Sequence, residues 1–137
     1  MHKLYIKKTQ ITPEINFDPD TNTYIIEGVS APEDVRALYY PVIEWLNIFI
    51  EDILEGEYNK FNQQNPFRLK IDLSYFNSSS AKFLYDILLE LIKLKTNEIP
   101  FVVEWLYDEE DIDMKEAGTD ISRLAEVEFE FTSKLKH

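Results

Sequence analysis

The chain has 137 residues, of which 45% are hydrophobic and 14% aromatic, with a formal net charge of −12 and no cysteine. That length and apolar content predict one compact domain over residues 1–137 with a proper core. The acidity argues against nucleic acid or an anionic membrane as partner, because both are bound through clustered Lys and Arg. The missing cysteines exclude disulfides, thiolate catalysis and Cys-based metal sites.

Taken in chain order, the opening MHKLYIKKTQ lacks the continuous apolar run of a signal peptide. Residues 4–9 read as a short edge strand. A hairpin follows: Ile15 and Phe17 alternate on one arm, Tyr24 and Ile26 on the other, and DPDTN supplies the turn. That turn imitates a calcium loop through Asp18, Asp20 and Asn22. Thr23 replaces the sharp-turn glycine and Val29 the closing bidentate acid, so a plain hairpin turn is expected. SAPED reads as a helix start, with Ser30 or Ala31 at the cap and Pro32 in the first turn. The helix is expected over about residues 32–55, kinked or divided at Pro41. Its greasiest stretch, residues 38–54, carries Glu44, Asn47, Glu51 and Asp52 and is no membrane span. A cytoplasmic protein is expected.

After a loop over residues 55–65, PFRLKIDLSYF alternates Phe67, Leu69, Ile71, Leu73 and Tyr75 against Arg68, Lys70, Asp72 and Ser74, a strand with one buried face. A helix follows over residues 77–95, apolar at Ala81, Leu84, Leu88, Leu91 and Ile92. IPFVVEWLY is a strand. The segment 108–126 is a third helix, broken at Gly118, and VEFEFT closes as a strand with Val127, Phe129 and Phe131 on one face. Strands alternating with helices predict an α/β sandwich, a mixed sheet with helices packed against it.

Catalytic chemistry has little to stand on. Histidine occurs only at His2 and His137, so neither a Ser–His pair nor an internal His–metal site is expected. The acids from Asp108 to Asp113 with Glu116 could hold a hard cation, act as paired acids or form an acidic docking surface. Acids at a helix N-terminus facing water are the simpler reading. No catalytic residue, cofactor or metal is assigned.

The stretch YFNSSSAKFL, residues 75–84, sets three serines at a strand-to-helix junction. Asn77 or Ser78 suits the N-cap. A hydroxyl presented there also suits phosphorylation: a phosphate adds about −1.5 to −2 charges at pH 7 and gains donors from the helix end. Pattern alone ranks the cap above the switch.

This strand–NSSS–helix layout resembles the phosphorylatable junction of STAS domains, the fold of bacterial anti-sigma-factor antagonists. TPEI (12–15), IEGVSAPED (26–34), PVIEWL (41–46), YFNSSSAKFL and VEWLYDEEDID (103–113) occur in one order. Together they resemble the SiaC-type family of regulatory phosphoproteins along nearly the whole chain. The resemblance implies a non-enzymatic partner-switching module. A dedicated Ser/Thr kinase would phosphorylate Ser78, with Ser79 and Ser80 as alternative acceptors, and a PP2C-type phosphatase would reverse it. The unphosphorylated form would bind an effector such as a diguanylate cyclase, in cyclic-di-GMP and biofilm control. Phe76, Asn77, Ser78, Ser79 and Lys82 are the expected partner contacts; Tyr75 and Phe76 could instead be packing residues. The alternatives are a constitutive interaction scaffold whose serines only cap a helix, and a small metal-dependent enzyme using the 108–113 acids.

Overall fold

A computed structural model describes residues 1–57 and 61–135 of the chain. The elements run β1 (Leu4–Ile6), β2 (Glu14–Asp18), β3 (Thr23–Ser30), α1 (Val35–Leu54), β4 (Phe67–Phe76), α2 (Ser78–Thr96), β5 (Phe101–Asp108), α3 (Ile112–Ala125) and β6 (Phe129–Lys134). In the sheet the strands lie in chain order. β1, β2 and β3 pair antiparallel, and β3 to β6 pair parallel. Each parallel step needs a helical crossover, and such crossovers are almost always right-handed. Three crossovers of one hand stepping the same way put α1, α2 and α3 on one face, and α1 packs on α2 and α2 on α3. This is the α/β sandwich that the sequence predicts.

The strand alternation decides which face the helices cover. Ile15, Phe17, Tyr24, Ile26, Phe67, Leu69, Ile71, Leu73, Val103 and Trp105 are buried, with Tyr39, Leu46, Phe49, Leu84 and Leu88 from the helices. The opposite face is charged: Arg68 lies 3.3 Å from Glu104 and 3.0 Å from Glu130, and Lys134 lies 2.6 Å from Asp72. These pairs are partly solvated, so each contributes at most about 1 kcal/mol.

Several local expectations are corrected. The first helix is capped by Asp34, whose carboxylate accepts from the Ala37 N–H at 3.1 Å, and neither Ser30 nor Ala31 is the cap. Ser30 instead ends β3 and is buried. α1 runs through Pro41 undivided. Pro41 and Ala37, whose carbonyl loses its partner, both lie on the exposed side, where solvent can replace the bond. α3 is unbroken at Gly118, because the glycine serves a close approach: a Cβ there would meet the Trp105 indole at 2.6 Å. β1 stops at Ile6, and Val127 is buried just before β6 begins. The loop expected over 55–65 includes residues 58–60, which lie outside the described residues.

Candidate functional site

The strand-to-helix junction is shaped by a β-bulge. Gly28 pairs with Leu73 but Val29 pairs with Tyr75, so Ser74 is an extra residue on β4. Its hydroxyl reaches the Gly28 carbonyl at 3.3 Å. Gly28 has φ of +123°, a backbone state that side chains oppose. The extra residue inverts the phase of the last residues of β4. Tyr75, placed by strict alternation on the buried face, is therefore 54% exposed. Phe76 turns toward the helices and sits edge-on to Trp105 at 5.9 Å between ring centroids.

The chain then turns directly into α2. Asn77 has extended backbone, and its side-chain oxygen accepts from the Ser80 N–H at 2.9 Å, so Asn77 is the N-cap. Its own N–H donates to the Ser30 carbonyl at 3.0 Å, which ties the junction to the end of β3. Ser78 and Ser79 are the first two residues of the helix and both are exposed. The Ser79 hydroxyl is 3.4 Å from the Asn77 side-chain oxygen, and that of Ser78 has no hydrogen-bond partner among the described residues.

Ser80 faces the other way and is 0% exposed, as is Ser30. Its hydroxyl donates to the Ser30 carbonyl at 3.0 Å, and Ser30 Oγ donates to Ser80 Oγ at 2.8 Å. The remaining contact is Tyr39 Oη to Ser30 Oγ at 2.6 Å. The single proton of Ser30 is already committed to Ser80, so Tyr39 is the donor there. Burial raises the Tyr39 pKa above the ordinary phenol value, against the opposing effect of its serine hydrogen bonds, which keeps the hydroxyl protonated. The result is a closed buried chain of hydroxyls joining β3, α1 and α2. Sequence reading missed Ser30 and Tyr39 as parts of the junction. The signal was there: Ser30 continues the inward series Tyr24, Ile26, Gly28, and Tyr39 lies on the buried stripe of α1.

Lys82, one turn into α2, is exposed; its Nζ is 2.6 Å from Asp86 Oδ2 and 5.1 Å from the Phe83 ring centroid. Lys82 and Asp86 border a groove of about 630 Å³ between α1 and α2, lined also by Tyr40, Ile43, Phe83 and Leu89. The geometry thus brings Phe76, Asn77, Ser78, Ser79 and Lys82 to one end of α2, with Ser80 buried beneath them.

Two of the acids at the end of β5 and the start of α3 have structural occupations. Asp111 caps α3 through the Met114 N–H at 3.0 Å, and Asp108 lies 3.8 Å from Lys134. Among the described residues, the acids close enough to share an ion are instead Asp52, Glu55 and Glu57, at the far end of α1. They are largely exposed and take no part in the junction.

A sequence profile of the SiaC family, described as regulatory phosphoproteins, matches residues 6–134. The chain belongs to the SiaC family. An uncharacterised protein of Pseudomonas aeruginosa strain UCBPP-PA14 is 33% identical over 108 residues, covering 79% of this chain and 78% of the relative. Apo-SiaC of Pseudomonas aeruginosa superposes with a TM-score of 0.78 at 29% identity, over 98% of this chain and 99% of that one. SiaC in complex with the diguanylate cyclase SiaD, which it activates, superposes with a TM-score of 0.79 at 28% identity, over 97% and 99% of the two chains.

Proposed function

We propose that this protein is a phospho-regulated partner switch in which Ser78 is the modified residue. A Ser/Thr kinase transfers the γ-phosphoryl group of ATP to Ser78 Oγ, releasing ADP and a proton, and a PP2C-type phosphatase hydrolyses the ester. The unphosphorylated form binds an effector and regulates it. The complex of the Pseudomonas relative with SiaD supports a diguanylate cyclase as that effector. In this reading the chain performs no chemistry of its own, and Phe76, Asn77, Ser79 and Lys82 surround the phosphoacceptor in the partner contact.

The observation that carries the assignment is the division of labour among the three serines. Ser80 is fully buried with its hydroxyl committed to Ser30, Ser79 is exposed with its hydroxyl 3.4 Å from Asn77 Oδ1, and Ser78 is exposed with no hydrogen-bond partner among the described residues. A phosphate on Ser80 would need the hydroxyl chain opened. On Ser78 it needs no rearrangement of the core. The cap is made by Asn77, so modifying Ser78 leaves the helix start intact. The added charge at the end of α2 repels an acidic partner surface, and its desolvation opposes docking onto an apolar one, without unfolding the domain.

The test is capture. Unmodified protein and protein carrying phosphoserine at position 78 are immobilised and exposed to extract of the native cells. The captured material is then assayed for cyclic-di-GMP synthesis from GTP. Cyclase activity retained by the unmodified protein and lost with the phosphoserine form supports the proposal. Equal capture by both forms, or no cyclase activity on either, refutes it.

A further inference from the structure

We infer that Lys82 is the cation that a phosphate on Ser78 captures, and that the capture strips Asp86 of its ion pair at the edge of the α1–α2 groove. The inference deepens the reading of Ser78 as the modified residue and rests on it.

Lys82 stands four residues after Ser78 and four before Asp86, so both lie within reach of its side chain on one helix face. In the unmodified protein its ammonium pairs with Asp86 at 2.6 Å and lies near the Phe83 ring. The lysine side chain is 68% exposed, so this pair is well screened and readily exchanged. Two features then favour the phosphate over Asp86. The acid-before-lysine order at this spacing is the better one on a helix, and Ser78 precedes Lys82 whereas Asp86 follows it. A phosphate also carries about −1.5 to −2 charges against the single charge of a carboxylate. No other Lys or Arg occurs in α2 before Lys93, which is itself paired with Glu90 at 2.8 Å.

The groove edge changes in consequence. Glu44, Asp86 and Glu90 line it, and among the described lining residues Lys82 is the one basic side chain. Moving Lys82 toward position 78 leaves Asp86 uncompensated and uncovers the Phe83 ring. A partner fitted to the neutral Lys82–Asp86 pair would meet a bare carboxylate and a phosphate. The backbone need not move.

Phosphoserine installed at position 78 during synthesis separates this inference from the question of whether the native kinase acts there. The second ionisation of the phosphate is followed by phosphorus NMR in three proteins: the phosphoserine form, and the same form carrying K82M or D86N. Carboxylates at the start of α1, Glu33 and Asp34, are common to all three and cancel in the comparison. Capture by Lys82 predicts a lower phosphate pKa in the parent than in the K82M protein, with D86N at or below the parent value. Equal values in the parent and the K82M protein would overturn the inference. Failure to find phosphate at Ser78 in cells would overturn the functional reading and leave this measurement unaffected.

Discussion

The hydroxyl oxygen of Ser80 lies 2.8 Å from that of Ser30, fifty residues earlier in the chain. Together with the Ser30 carbonyl and the Tyr39 hydroxyl it closes a buried chain whose members each need the next. Ser80→Ala leaves the Ser30 proton without its acceptor. A loss of about 1–3 kcal/mol in urea unfolding is expected, the range for an unsatisfied buried group. Ser78→Ala, two residues away and exposed, should change stability by no more than about 0.5 kcal/mol. Equal effects at the two positions would contradict the division between locking and modifiable serines.

Asn77 is the residue whose loss should weaken the helix start. Asn77→Ala removes the acceptor for the Ser80 N–H and is expected to cost about 0.5–2 kcal/mol, with Asn77→Asp recovering most of it. Thermal unfolding of the two variants checks this. An Ala variant as stable as wild type would show that the cap is dispensable.

Gly28, at φ of +123°, lies opposite the bulge that turns Tyr75 and Phe76 just before the junction. A Cβ at this position has room, its nearest neighbour being Pro13 at 3.6 Å. The cost of Gly28→Ala is therefore backbone strain at φ of +123°, about 1–3 kcal/mol. Amide chemical shifts should move around Ser74 and Tyr75, on the paired strand, as well as around position 28. Shifts confined to β3 would argue that the bulge does not depend on the glycine.

Gly118 should tolerate no side chain. Alanine normally gains about 1 kcal/mol over glycine inside a helix. Here its Cβ would come within 2.6 Å of an indole that is buried and held by a 3.0 Å hydrogen bond to the Met114 carbonyl. Overpacking of this kind costs about 1–3 kcal/mol, so Gly118→Ala is expected to destabilise, with a change in tryptophan emission from Trp105. A variant more stable than wild type would contradict the packing described.

The features legible in the sequence were those governed by a single local rule. Alternation in β4 up to Leu73 and the helical spacing of Leu84, Leu88 and Leu91 follow from apolar period alone. Local side-chain chemistry narrowed the cap of α2 to Asn77 or Ser78, and the structure decides for Asn77. Features that depend on two distant segments were hidden. Tyr75 points outward because an extra residue in β4 meets a positive-φ glycine in β3, and no pattern within YFNSSSAKFL announces that. Ser80 stood beside Ser79 as an alternative acceptor to Ser78 because its partners, Ser30 and Tyr39, lie in other elements. The cap of α1 was misplaced by a few residues because Pro32 marked a helix start that Asp34 completes. The junction itself was readable; that Ser80 is buried while Ser78 and Ser79 are exposed required the tertiary structure.

The most direct test of the central claim is intact mass followed by peptide mapping of the protein purified from its native cells under several growth conditions. The account predicts a single phosphate on Ser78 whose occupancy varies with condition, and no phosphate on Ser80. Protein that is uniformly unmodified in every condition, or a phosphate confined to another residue, would contradict it.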